Sequence, residues 1–316
     1  MNEAEKRNIF SVSTLVFIGA ALAAATSLRA STDTVKSESI GAEACLACHA
    51  DKAGFKDNIH AKAWPRAKKI SFSESCETCH GPGSLHAAAA GDKTNPGFRA
   101  ILIPKEMPPE EASALCLKCH DKGNQTHWRG GVHETHGVSC LSCHTLHGGH
   151  DKVLAKAAAE EVCFQCHKDV QAQIKKSSHH PIPEGKMTCS DCHNPHGTLG
   201  DHLMVENTVN DTCFKCHAEK RGPFLWEHRP VAENCDNCHT PHGSSHGKLL
   251  VEKVPFLCQS CHSGSQHPGT LYALNPATPG ANTYQRSGTR AIYKACLNCH
   301  SNIHGSNHPS GERFTR

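Results

Sequence analysis

Aromatic residues are scarce in this chain, with 10 Phe, 3 Trp and 3 Tyr among 316 residues. Apolar residues reach 37 %, and setting aside the 20 cysteines leaves roughly 31 %, thin for the two self-filled cores such a length allows. An excess of one charge sign is also missing. The 33 basic and 30 acidic residues give a formal net charge of +3, evenly spread, so no basic stripe points to nucleic acid. Methionine is down to 4 residues. What the chain has instead is 20 Cys and 27 His. Something other than side chains must fill the interior, which argues against an ordinary self-cored enzyme.

The N-terminus speaks to compartment. Lys6 and Arg7 precede an uncharged stretch from Ile9 to Leu28, densest in apolar residues between Val12 and Ala25. Small residues follow at Ala23, Ala24, Ala25, Thr26 and Ser27, the layout of a secretory signal. Residues 1–30 are therefore read as a signal peptide cut between Ala23 and Ala30, and 31–316 as the mature domain. An uncleaved anchor is the alternative, since the stretch approaches the ~20 residues that span a bilayer. No Cys precedes Cys45, so no lipid-modified N-terminal cysteine is expected.

Every cysteine belongs to a Cys-x-x-Cys pair followed at once by His. In chain order the ten motifs are Cys45, Cys48, His49; Cys76, Cys79, His80; Cys116, Cys119, His120; Cys140, Cys143, His144; and Cys163, Cys166, His167. They continue with Cys189, Cys192, His193; Cys213, Cys216, His217; Cys235, Cys238, His239; Cys258, Cys261, His262; and Cys296, Cys299, His300. They are numbered one to ten below. This is the c-type haem attachment pattern: two thioethers tether the porphyrin and the adjacent imidazole is the proximal iron ligand. Disulfides, zinc sites and redox dithiols also use paired cysteines. None of them requires the following His, and ten such occurrences by chance have a probability on the order of 10⁻¹¹. The cofactor reading is ten c-type haems.

Histidine supply agrees. Ordinary usage gives roughly 7 His in this length, and ten proximal plus ten distal ligands bring that to the 27 present. Methionine is the other common sixth ligand, but the mature chain keeps only Met107, Met187 and Met204. Bis-histidine ligation throughout is expected. Among the 17 histidines outside the motifs, repeated contexts select the distal candidates. His147, His196 and His242 share an H-x-x-H-G arrangement, with His304 a one-residue-longer version. His133 and His228 each lie seven residues before the first Cys of a following motif, and His180 has an analogous place before Cys189, with His179 as its substitute. His60 and His86 are the non-motif histidines of the first hundred residues and serve the first two or three haems. His308 takes the tenth place, nearly level with His267 and ahead of His127. His136, His150, His202 and His246 are left to solvent or haem propionates.

First cysteines fall 31, 40, 24, 23, 26, 24, 22, 23 and 38 residues apart. The middle reads as a two-motif repeat of about 45–50 residues, a linear array of touching units. The expected fold class is a multihaem cytochrome c, mostly loops and short α-helices in an extended haem wire, with little or no β. Helices are predicted from Pro108–Glu111 into Cys116 and on both sides of Cys163 between Lys152 and Lys176. Asp211 is a predicted cap before Cys213. Gly91–Pro109 and Gly264–Gly288 read as loops.

The stretch GPFLWEHRPVAENCDNCHTPHGSSH, the closing CLNCHSNIHGSNHPSG and the ten motifs resemble the MtrA/DmsE decahaem cytochromes, over essentially the whole mature chain. The resemblance implies a bis-histidine haem wire inside or against an outer-membrane β-barrel. Its implied partners are that barrel, periplasmic or inner-membrane c-type cytochromes, and an outer multihaem cytochrome or extracellular reductase. No nucleic acid is among them. A bare haem chain cannot face lipid, because loop-rich backbone in hydrocarbon leaves polar groups unsatisfied, and a large barrel removes that problem. The leading function is thus an electron conduit between periplasm and exterior, not an enzyme. The alternatives are a soluble periplasmic shuttle and a multihaem oxyanion reductase, which would need an iron with an open position.

Overall fold

The computed structural model describes residues 36–148, 151–155, 158–262, 296–309 and 311–315. The chain divides into Met1–Lys36 and Ser37–Arg316, and all ten motifs lie in the second unit. The expected signal segment 1–30 lies outside the described residues, as do His150, His267 and the loop Gly264–Gly288.

Secondary structure among the described residues is short helices joined by turns, with isolated bridges and no strands. The longest α-helices, Ile59–Ala67 and Pro109–Leu117, have nine residues each. Pro109–Leu117 begins where the proline and glutamate pairs predict, and its first turn carries Glu110 and Glu111. The stretch from Lys152 to Lys176 is not continuous helix. It breaks into Lys152–Leu154, Ala159–Cys163 and Lys168–Gln173, because the motif between the last two needs a turn of its own. The cap of Val209–Phe214 is also corrected. Thr208 is the N-cap, accepting the Asp211 backbone N–H, while Asp211 sits inside the first turn and receives the Thr208 hydroxyl at 2.7 Å. Gly91–Pro109 holds two short 3₁₀ turns, Pro96–Arg99 and Pro104–Glu106.

Burial is sparse. One hydrophobic cluster joins Phe164, Ile174 and Ile182 with partly buried Val170 and Met187, and several other buried apolar residues are alanines. The interior is instead a cavity of about 4540 Å³ lined by cysteines and histidines of all ten motifs. Divided by ten this is roughly 450 Å³ per motif, within the ~300–1,000 Å³ that one medium-sized organic ligand occupies.

Candidate functional site

Each motif is one tight turn. In nine of them the His N–H closes on the carbonyl of the first Cys at 2.9–3.1 Å. An i, i+3, i+4 spacing on such a turn puts both sulfurs and the imidazole on one face. No two of the twenty cysteines are joined in a disulfide. Among the described residues no cluster of three or more His, Cys, Asp or Glu could chelate a bare ion, so the four-ligand zinc arrangement is not assembled.

Nine motif histidines each face one histidine from outside the motifs. The ring centres of His49 and His86 are 6.2 Å apart, His80 and His147 5.9 Å, and His120 and His60 5.8 Å. His144 and His196 are separated by 6.1 Å, His167 and His133 by 6.2 Å, and His193 and His242 by 6.0 Å. The last three pairs are His217 with His180 at 6.4 Å, His262 with His228 at 6.1 Å, and His239 with His304 at 6.3 Å. Two imidazoles sharing one metal at about 2.0–2.1 Å per bond would hold their ring centres roughly 6 Å apart. The donor set therefore fits an iron between each pair. For the tenth motif, the His300 Nδ1 donates to the Arg313 carbonyl at 2.5 Å. Its sequence candidate His308 is exposed, and His267 lies outside the described residues.

The pairing follows a rule that spacing alone does not reveal. His147, His196, His242 and His304 trail motifs four, six, eight and ten, yet each faces the histidine of the preceding even motif. His60, His133, His180 and His228 precede motifs two, four, six and eight, and each faces the odd motif that follows. The chain is thus interlaced across two motifs. Glycine of H-x-x-H-G permits the lacing: a Cβ on Gly197 would collide with the His127 carbonyl, and one on Gly243 with the Gln173 carbonyl.

Between the two adjacent histidines the structure distinguishes clearly. His180 faces His217, whereas His179 is on the surface, with Nδ1 at the Lys176 carbonyl and Nε2 at Glu184. Those contacts, the carbonyl first, raise its pKa. By contrast burial pushes His60, His147, His196, His228, His242 and His304 below the ordinary histidine value, so they are neutral, as a metal ligand must be. His127 and His136 are exposed. The few aromatics are spent here: Trp64, Phe98, Trp128 and Phe314 pack on His60, His86, His196 and His228.

On five of these facing histidines Nδ1 is anchored. Carbonyls of Phe98, Pro195 and Pro241 accept from His86, His133 and His180 at 2.7–2.8 Å. Side chains of Asn58 and Asn194 accept from His60 and His196 at 3.0 and 3.1 Å. This fixes the tautomer and leaves Nε2 free for a metal. Sequence reading missed these acceptors, because most are backbone atoms.

Cysteines link consecutive motifs. The first cysteines of successive motifs lie beside each other in pairs, Cys45 with Cys76, Cys116 with Cys140, Cys163 with Cys189, Cys213 with Cys235 and Cys258 with Cys296. Across the alternate junctions the second cysteines are near enough to feel one another's charge, Cys79 with Cys119, Cys143 with Cys166 and Cys238 with Cys261. Two buried polar side chains brace the first kind of junction. Ser113 Oγ and Asn210 Oδ1, each three residues before an odd motif, accept the backbone N–H of Cys140 and Cys235 at 3.3 and 2.7 Å.

Comparison with known proteins gives the same picture. The family model "Doubled CXXCH motif" matches residues 179–222 and 228–267, "Cytochrome c-type protein NrfB-like" matches 76–160, and "Cytochrome c554 and c-prime" matches 20–81. The multiheme cytochrome MtrA of Shewanella baltica is 42 % identical over 281 residues, 87 % of this chain and 81 % of that one. The cytochrome c-type protein NrfB of Escherichia coli O6:H1 is 28 % identical over 40 % of this chain and 65 % of its own. A probable tetraheme cytochrome c-type of Nitrosomonas europaea is 24 % identical over 47 % and 58 %.

Proposed function

We propose, for a chain that belongs to the MtrA family of multihaem c-type cytochromes, the role of a conduit that carries electrons in single file along ten covalently attached haems. It is an electron-transfer cytochrome with c-type haem. The finer reading assigns the twenty motif cysteines to thioethers, the ten motif histidines to proximal ligation, and His86, His147, His60, His196, His133, His242, His180, His304 and His228 to the distal places of motifs one to nine in that order. Bound haem supplies a one-electron iron couple. The protein supplies the rest: it would hold each ring by its thioethers, close both axial positions at nine sites, and bring neighbouring sites together through their cysteines.

The observation that carries this reading is the run of nine facing histidine pairs in motifs whose cysteines lie beside those of neighbouring motifs. Nine sites with two facing imidazoles each leave little iron for a substrate, which favours transfer over reduction of an oxyanion. Intact mass of the mature protein is expected to correspond to ten haem attachments. Low-temperature magnetic resonance is expected to show low-spin ferric haem throughout. A mass matching eight or fewer attachments, or a stoichiometric high-spin signal, overturns the assignment.

The conduit is further proposed to work on the periplasmic side of the outer membrane, sheathed by a β-barrel protein, joining periplasmic c-type cytochromes to an outer multihaem cytochrome or extracellular reductase. No helix among the described residues is long and apolar enough to cross a membrane, and loop-rich backbone needs shelter from lipid. The protein should be isolated from outer membranes with a large barrel protein and withstand salt washing. In liposomes that complex should pass electrons from an enclosed dye to an external oxidant. Recovery of all the haem protein in the soluble periplasmic fraction would make it a shuttle instead.

A further inference from the structure

The motif histidines of the even sites share an anchor. In motifs two, six, eight and ten, Nδ1 donates to a backbone carbonyl: His80 to Leu102 at 2.7 Å, His193 to His202 and His239 to Lys248 at 2.8 Å each, and His300 to Arg313 at 2.5 Å. In motifs six and eight the acceptor lies nine residues on. Two consecutive left-handed residues present it, His202 and Leu203 (φ 55° and 58°) or Lys248 and Leu249 (φ 62° and 57°). Motif four departs from this. His144 Nδ1 lies 2.6 Å from Oδ2 of Asp151, seven residues on. A carboxylate stands where the others have a neutral carbonyl.

The surroundings of Asp151 aim its charge at that ring. Its side chain is only 9 % exposed. Oδ1 accepts the Val153 N–H at 3.3 Å, and among the described residues no Lys or Arg bridges it. Glu219 also lies near a motif histidine, but it stays 3.9 Å from His217 Nδ1 with both side chains more than half exposed, where solvent screens the pair. A buried carboxylate accepting Nδ1–H makes the imidazole a stronger donor through Nε2. Low polarity around the pair enlarges the effect, and stronger donation favours the higher oxidation state of a bound metal.

We propose that Asp151 is a positioning residue that tunes the fourth site, holding the haem on His144 and His196 at a lower reduction potential than its even-numbered counterparts. This rests on the reading of those histidines as axial ligands. It makes the fourth site the low-potential member of the even-numbered set, one that electrons cross without resting.

The test uses the full, matured protein. In a spectroelectrochemical titration, Asp151→Asn, which keeps an acceptor and removes the charge, is expected to move about a tenth of the haem absorbance to higher potential and leave the rest in place. Asp151→Glu should keep the parent curve. So should Asp201→Asn, because Asp201 is exposed and the acceptor in its unit is the His202 carbonyl. Magnetic resonance of the parent is expected to contain one low-spin signal set apart by a stronger axial ligand field, and Asp151→Asn should return it to the group without creating a high-spin one. A parent spectrum lacking that signal overturns the proposal whether or not a variant matures. So does an Asp151→Asn titration that superposes on the parent. A mass short of ten haems in the parent would instead count against the ligand reading itself.

Discussion

Synthesised without haem attachment, the chain is expected to be unfolded, with a disordered circular dichroism spectrum and no protease-resistant fragment. The buried hydrophobic residues cannot replace what is missing. Among the described residues the hydrophobic cluster is built on Phe164, Ile174 and Ile182, and a cavity of about 4540 Å³ runs past all ten motifs. One motif's share left empty, at ~24 cal/mol per Å³, costs on the order of 10 kcal/mol. That alone matches the ~5–15 kcal/mol by which whole domains are stable. Ten such shares exceed it many times over. Local hydrogen bonds such as those of Ser113 and Asn210 contribute only about 1 kcal/mol each and do not close the gap. A protease-resistant apo form with the native helix content would show that the protein carries a core of its own.

The same imbalance explains what the sequence made legible. Haem attachment leaves a covalent signature at fixed spacing, so all ten motifs could be read directly. The short-helix, strand-poor fold followed from missing apolar mass. Trailing histidines such as His196 and His242 stood out because they repeat. Their partners did not, because lacing across two motifs is a property of packing: His196 is three residues from His193 and yet faces His144. Adjacent His179 and His180 carried the same sequence signal, and only the Glu184 contact and the Pro241 carbonyl separate them. The Asp211 cap was misplaced by one turn because Thr208 and Asp211 both satisfy the same pattern, and their mutual hydrogen bond puts the threonine outside. Asp151 was invisible for another reason. A carboxylate seven residues past a motif means something only beside four carbonyls that do the same task.

Replacing His133 by methionine is expected to stop end-to-end transfer while leaving ten haems in place. His133 faces His167 at the fifth motif, and Cys163 lies beside Cys189 and near Cys143, cysteines of the motifs on either side. In the proposed single file electrons would have no way round the fifth site. Methionine in place of histidine raises a haem's potential, which turns the site into a trap. Axial ligands span about 0.8 V. If His133→Met moves the couple by a quarter of that, about 0.2 V, escape slows by more than a thousandfold at ~59 mV per decade for one electron. The measurement is the rate from enclosed dye to external oxidant through the liposome-bound complex, read beside a titration that shows one high-potential haem. His136→Met is the control, since His136 is exposed and its Nδ1 is occupied by the Val132 carbonyl. A raised potential at one haem together with an unchanged rate would mean that the sites branch, and the single-file reading would fall with it.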